Sequence, residues 1–518
     1  MTSLAASATV AGCGDSECAA QGSCAGEAAT EAPPRGEDGT FTEPDAAPKE
    51  VAPVSGEAEE GSFSFVPTAP PPRVMHDTSL RVKLAIERSA AQKKDVVVTV
   101  ANLPPGVSVE PLTIKGHEST GELVVNVGAT AAQGPFDILV EGSTGKQSAT
   151  LALALFVRGK PGTLDTTFAA GGVLTPPESP LGIEAAGDAL GRIYVGTETS
   201  LRRYSSEGLV DTSFAAPALA QGRPLGVVVH TGSVYFARNV GAGQRIEKYS
   251  TASGARDATY GGGSGIFDLQ GSGASAFAVA ADGRGALISP FYSAGRWHLK
   301  WISAAGTDDF AVNSAAYSST SPPSYLIRGA VYTSNAMVFV GEGHILKVKT
   351  AGGIFDSTFA GRGFLEVASG LALNDVIADA SGRFLVTGQR RASGALYLAR
   401  ITAGGELDST FPPVTGTFVA KGEAFMVANQ NPSVYDDTYA GRLALDAENN
   451  ILQAAQVAEG STTRCTLLRY KPDGKLDTSF GDQGRTTLAT PGCTARRVFV
   501  QPDGRILVGG AVLMRVWN

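Results

Sequence analysis

A short element headed by aspartate and closed by an aromatic recurs seven times in this chain, and that recurrence restricts the fold to architectures assembled from similar units. Its copies are Leu164-Asp165-Thr166-Thr167-Phe168, Val210-Asp211-Thr212-Ser213-Phe214, Arg256-Asp257-Ala258-Thr259-Tyr260, Thr307-Asp308-Asp309-Phe310, Phe355-Asp356-Ser357-Thr358-Phe359, Leu407-Asp408-Ser409-Thr410-Phe411 and Leu476-Asp477-Thr478-Ser479-Phe480. With Asp309 as the fourth, successive aspartates lie 46, 46, 52, 47, 52 and 69 residues apart. Behind each follows a second element, best kept as Gln501-Pro502-Asp503-Gly504-Arg505-Ile506-Leu507-Val508, in which Asp-Gly between apolar runs marks a hairpin. A third element then closes the unit, as in Leu201-Arg202-Arg203-Tyr204 and Leu513-Met514-Arg515-Val516. Each unit thus supplies about four strands in about fifty residues, the content of one propeller blade. The expectation is an all-β chain in which 159–518 form a seven-bladed β-propeller.

The Asp-Thr-Thr-Phe and Pro-Asp-Gly-Arg-Ile pair resembles the delta-60 repeat of exported bacterial proteins, and the resemblance runs through this whole segment. It implies a repeat architecture and no established activity. Physically, an aspartate at the head of a turn accepts hydrogen bonds from the backbone two residues on, while the aromatic packs between adjacent blades. Asp165, Asp211, Asp257, Asp356, Asp408 and Asp477 are therefore read as structural, because they recur once per unit and a reaction needs one site. No dense Asp-x-Asp-x-Asp-Gly loop is present, so no metal and no cofactor are expected.

Residues 62–158 follow a different rule. Leu80, Val82, Leu84 and Ile86 alternate with Arg81, Lys83 and Glu87, the period of a half-buried strand. Further runs at Val96 to Val100, Leu123 to Val127, Phe136 to Val140 and Thr150 to Val157 predict about seven strands in a sandwich. Leu103-Pro104-Pro105-Gly106-Val107 with Leu123-Val124-Val125 and Gly134-Pro135-Phe136 resembles the immunoglobulin-like modules of bacterial surface proteins, which space or present a neighbour. His76 and His117 fall at loop positions and are read as surface residues.

The first sixty residues carry no fold signal. Val10-Ala11-Gly12-Cys13 resembles the lipobox of bacterial lipoproteins, which makes Cys13 the expected lipidation site and 1–13 a signal segment. Met1 to Gly12 contain no Lys or Arg, so Met1 is expected to lie inside a longer signal whose charged beginning has been lost. Residues 14–61 are rich in Ala, Glu, Pro and Gly, a composition that buries too little surface to offset chain entropy. They read as an acidic, disordered stalk. Gly14 to Pro72 hold twelve acids against Arg35 and Lys49, a net −10, which leaves +2 for the rest of a chain of net −8. A near-neutral folded part without a basic stripe argues against nucleic acid as a partner. No run approaches the eighteen apolar residues of a membrane helix, so membrane attachment is expected through lipid alone, on an exported outer-membrane or cell-surface lipoprotein.

Candidate sites lie where the repeat is broken. The long spacing after Asp408 holds an insertion around Asn429 to Tyr439, with Tyr435, Asp436, Asp437 and Tyr439 as possible contacts. Tyr292, Trp297 and His298 form a second group, either a contact surface for carbohydrate or peptide or the packing of a blade. Disulfide candidates are Cys465 with Cys493 and Cys18 with Cys24. No local catalytic motif is present, and His230, His298 and His344 sit in different units, so only the central channel can bring them together. Two functions follow. One is a non-enzymatic, lipid-anchored binding or scaffold protein for an unknown extracellular protein or carbohydrate; the other is a lyase or hydrolase acting on polysaccharide at the channel mouth.

Overall fold

The computed structural model describes residues 61–518 except 68–69, 178–181, 242, 271–275, 280–282, 284, 294–295, 310–326, 342, 352, 391–392, 394, 412–413, 416–440, 460–461 and 489–494. Two sheets make up residues 63–158. One orders the strands Phe63–Val66, Thr78–Arg88, Thr120–Val127 and Val107–Val109; the other orders Arg73–Met75, Ser148–Arg158, Gly134–Ser143, Val96–Ala101 and Leu112–Ile114. The alternation read from sequence decides which side chains point inward. Val82, Leu84 and Ile86 are buried against Val98, Val125, Val140 and Leu155 in one core, while Arg81 and Lys83 face water. Nine strands are present among the described residues where about seven were expected. The surplus consists of strands of three residues, too short to carry a period-two pattern.

His76 departs from its expected surface position and is buried. Its backbone N–H donates to the Arg158 carbonyl at 3.0 Å, extending the parallel pairing of Arg73–Met75 with Phe156 to Arg158 and drawing the turn against the sheet. His117 is exposed.

Beyond this unit, seven small antiparallel sheets of three or four strands follow among the described residues. Sheet 1 covers 184–204, sheet 2 223–270, sheet 3 276–302, sheet 4 327–366, sheet 5 371–415 and sheet 6 442–488. Sheet 7 joins Arg497–Val500, Ile506–Gly509 and Leu513–Val516 to Val173–Leu174, which comes from the other end of the segment. The first strand of each sheet neighbours the first strand of the next, and that of sheet 7 returns to that of sheet 1. The architecture is a β-propeller.

The sequence repeat and the sheet are out of phase by one strand. The strand after five of the aspartate elements pairs with the sheet already completed: Ile266–Gln270 closes sheet 2, Phe364–Glu366 sheet 4, Val414–Thr415 sheet 5, Arg485–Leu488 sheet 6, and Val173–Leu174 sheet 7. This offset is what ties the first repeat to the last.

Antiparallel pairing fixes two faces. Inner strands begin on one face, and the third strand of every sheet ends on the opposite one. The 63–158 unit meets the propeller at that second face, where Trp517 follows the last strand. Trp517 Nε1 donates to Gln133 Oε1 at 2.9 Å, Thr166 N donates to the same oxygen at 3.0 Å, and the Trp517 ring stands edge-on to Phe156 at 6.1 Å.

Candidate functional site

Each repeat aspartate caps its own turn. Asp408 Oδ1 accepts from Thr410 N at 2.9 Å and Thr410 Oγ1 at 2.6 Å, and the same pattern holds at Asp165, Asp211, Asp257, Asp356 and Asp477. The other carboxylate oxygen takes a cation from the third strand. Arg400 Nε donates to Asp408 Oδ2 at 2.7 Å, Arg469 to Asp477 at 2.9 Å, Arg203 to Asp211 at 2.8 Å and Arg515 to Asp165 at 2.7 Å; Lys248 and Lys347 take the role at Asp257 and Asp356. The guanidinium then reaches the following sheet. Arg400 Nη1 donates to the Pro472 carbonyl at 2.8 Å, and Arg515 Nη1 to the Ser206 carbonyl at 2.7 Å. The aromatic of the element lies under the cation, as with Phe411 below Arg400 at 4.7 Å. At the four arginine positions, one aspartate, one cation and one ring thus staple a sheet to its neighbour.

These contacts set the carboxyl groups. The Lys248 ammonium and the Thr259 hydroxyl hold Asp257 down at about 2, and the Thr410 hydroxyl with Arg400 holds Asp408 at about 2. Asp211 is lowered, chiefly by the Ser213 hydroxyl. At Asp356 and Asp477 burial pulls upward, but the hydroxyl and cation outweigh it and both are lowered.

The ring of the element also needs room. Gly474 has φ +84°, and a Cβ there would lie 2.8 Å from the Phe411 ring. Gly474→Ala is expected to destabilise the protein by about 1–3 kcal/mol, from backbone strain and overpacking together. Urea unfolding of the variant beside Gly504→Ala, also at positive φ but with open space around it, separates the two causes: equal losses would mean that the ring contact contributes nothing.

A second cluster occupies the opposite mouth of the channel, where the inner strands begin. Glu184 opens the inner strand of sheet 1 and is buried, ion-paired to Arg497 of sheet 7. Arg497 Nη2 also donates across to the Leu225 carbonyl of sheet 2 at 3.4 Å. Arg442, first in the inner strand of sheet 6, donates to the Asn374 carbonyl at 3.1 Å and stands 3.9 Å from Asp375 Oδ1, while Leu443 N donates to Asp375 Oδ2 at 2.9 Å. Burial raises the Glu184 carboxyl, against the opposing pull of Arg497, Arg442 and Arg496. Arg497 thus pairs with this carboxyl directly, and Arg442 and Arg496 act on it through charge.

The family described as "Domain of unknown function (DUF5122) beta-propeller" matches residues 456–480. That segment runs from the second strand of sheet 6 to the end of the Asp477 element. No curated protein matches the chain. Among solved structures, it is similar to a quinoprotein alcohol dehydrogenase-like protein from Bacteroides thetaiotaomicron (12% identity, 65% of this chain and 93% of that one, TM-score 0.30). It is also similar to the Nup133 β-propeller domain of Vanderwaltozyma polyspora (11%, 67% and 97%, TM-score 0.35) and to the polysaccharide lyase Uly1 (11%, 60% and 91%, TM-score 0.26).

The remaining sequence candidates are dispersed. Tyr292 lies in Gly285–Ser293 and Trp297 and His298 in Arg296–Ile302, two paired strands of sheet 3 with Ser289 opposite His298. Trp301 of the same strand is buried against Met337 and Phe339. His230 ends an inner strand and His344 begins a third strand, which puts them at opposite faces. Cys465 is buried and disulfide-bonded. Its candidate partner Cys493 lies outside the described residues, as do Cys13, Cys18, Cys24, Tyr435, Asp436, Asp437 and Tyr439. Sequence reasoning missed the mouth cluster, although a signal was present: Arg442 and Arg497 each stand first in an inner strand.

Proposed function

We propose that the chain is an exported lipoprotein, anchored through Cys13, that holds a seven-bladed propeller of delta-60 type as a binding module on an immunoglobulin-like spacer. The observation that carries this reading is the attachment geometry. The 63–158 unit meets the propeller beside Trp517, at the ends of the third strands, whereas the polar mouth around Glu184 lies where the inner strands begin. The 63–158 unit therefore leaves that mouth uncovered. The partner is an extracellular protein or carbohydrate.

A second reading is favoured by Glu184 itself. A carboxyl raised by burial and paired with a guanidinium group is a candidate general acid, the requirement of a polysaccharide lyase or hydrolase.

The test labels cells expressing the full chain with radioactive palmitate and applies the purified protein to a panel of envelope and environmental polysaccharides. Label lost in Cys13→Ser, with retention of a polysaccharide and no reducing ends released, supports the anchored binder. Release of product that stops in Glu184→Gln establishes the enzyme instead. Unaltered label in Cys13→Ser removes the lipoprotein assignment.

A further inference from the structure

We propose that a cleft between sheets 5 and 6, on the face opposite Glu184, binds the carboxylate of a small organic acid or of a terminal uronate between Arg383 and Arg400. The site is distinct from the mouth around Glu184 and goes beyond the binding reading above.

The cleft has a volume of about 200 Å³. On one side it is lined by the turn that follows the inner strand of sheet 5, which carries Asp379 and Arg383, and on the other by the corresponding turn of sheet 6. Arg400 and Pro472 complete the polar part of the lining, and Leu385, Leu445 and Ile451 form an apolar wall. Asp379 positions Arg383: its Oδ2 accepts from Arg383 Nε at 2.7 Å and its Oδ1 from Arg383 N at 3.0 Å. The Arg383 side chain is 36% exposed, so the cleft opens to solvent.

The junction of sheet 7 with sheet 1 shows what such a pair of arginines holds. Arg505 follows the hairpin glycine Gly504 as Arg383 follows Gly382. Arg515 bonds Asp165 and the Ser206 carbonyl as Arg400 bonds Asp408 and the Pro472 carbonyl. The residue after Ser206 is Glu207, and its carboxylate is clamped by both cations: Oε2 accepts from Arg515 Nη2 at 2.6 Å, and Oε1 lies 3.2 Å from Arg505 Nη1. After Pro472 the corresponding residue is Asp473, one methylene shorter. It is engaged by Lys475 instead, by Nζ at 3.1 Å and by the backbone N–H at 3.0 Å. Arg400 Nη2 donates to Thr410 Oγ1 at 3.1 Å, as Arg515 Nη2 donates to Thr167 Oγ1 at 3.0 Å, but among the described residues it has no counterpart of Glu207.

Charge agrees with this comparison. At sheets 7 and 1 the two arginines carry Asp165, Asp503 and Glu207; at sheets 5 and 6 they carry Asp379 and Asp408. One external carboxylate reproduces a balance that the same fold already holds. Guanidinium groups bind carboxylates in charge-assisted, forked geometry, and the apolar wall suits a short carbon body. At about 30 Å³ for each water-sized group, the cleft takes on the order of six non-hydrogen atoms.

Isothermal titration of the full chain, at low salt in a buffer without carboxylates, tests the proposal with butanoate, glucuronate and the uncharged butanamide as probes. Butanoate, glucuronate or both should bind and butanamide should not, with a loss of about tenfold in Arg383→Gln. Asp473→Glu copies Glu207 and brings the chain's own carboxylate to the arginines, so it should lower the affinity by a similar factor. It also keeps the test open if Arg383→Gln does not fold. Asp473→Ala should bind like the parent, because Asp473 does not line the cleft. Binding of butanoate supports a free acid as ligand, and binding of glucuronate alone supports a terminal uronate of a glycan. The proposal is overturned if neither acid binds, if butanamide binds as well as butanoate, or if either Arg383→Gln or Asp473→Glu retains the parental affinity.

Discussion

Deletion of Leu513 to Asn518 is expected to abolish the cooperative unfolding of the propeller while leaving a separate transition for residues 63–158. The deleted strand lies between Ile506–Gly509 and Val173–Leu174 and is hydrogen-bonded to both, so its loss disconnects the first repeat from the last. Leu513, Met514 and Val516 are fully buried, and each is worth about 1.5–3 kcal/mol of removed apolar surface. Asp165 is fully buried as well and loses Arg515, which leaves it Arg505 at 3.3 Å. Stripping one partner from a buried ion pair costs about 3–5 kcal/mol. The combined loss matches or exceeds the 5–15 kcal/mol that stabilises a typical domain. The 63–158 core draws on no residue after Val157 and should persist. Scanning calorimetry reads both parts, with deletion of Asn518 alone as the control. Two transitions at parental temperatures in the six-residue deletion would show that the ring does not depend on its closing strand.

The architecture was largely legible because its signal is repeated. A single Asp-Ser-Thr-Phe has little information, but seven at regular spacing define a unit, and Asp-Gly hairpins supply its strands. What escaped is what a linear pattern does not encode. The unit read from sequence begins at the aspartate, whereas the sheet ends one strand later, because hydrogen bonding across the ends of the segment selects a different phase. Arg400 and Arg469 precede their aspartates by eight residues, a regularity visible in the sequence. Its meaning required the third strand to turn back on itself and place the two side chains together. The mouth cluster was hidden for a related reason: Glu184, Asp375, Arg442 and Arg497 are far apart in the chain and share only a position in the inner strands. His76 shows the converse, a loop residue buried by a parallel pairing that no local pattern announces.

The staples also make the propeller sensitive to acid. Asp211, Asp257, Asp356, Asp408 and Asp477 all titrate below the ordinary aspartate range in the folded chain, with Asp257 and Asp408 at about 2. In the unfolded chain each returns to about 3.9. A carboxyl depressed on folding stabilises the native state above its unfolded value, and that stability is lost as pH falls toward the folded one. The five act with the same sign in one window, about pH 4 to pH 2. After allowance for solvent screening Asp257 and Asp408 each contribute on the order of 1 kcal/mol, and the other three add to this in the same direction. Glu184 opposes them: its raised carboxyl favours the folded state at lower pH and that contribution fades as pH rises, but it is one group against five. The urea midpoint of the propeller is therefore expected to be flat near neutrality and to fall steeply below about pH 4. Asp257→Asn with Asp408→Asn should start from a lower midpoint at pH 7 and show a shallower acid decline, since the groups whose protonation drives the loss are gone. An acid decline of parental steepness in that double variant would place the acid sensitivity elsewhere and refute the staples as its cause.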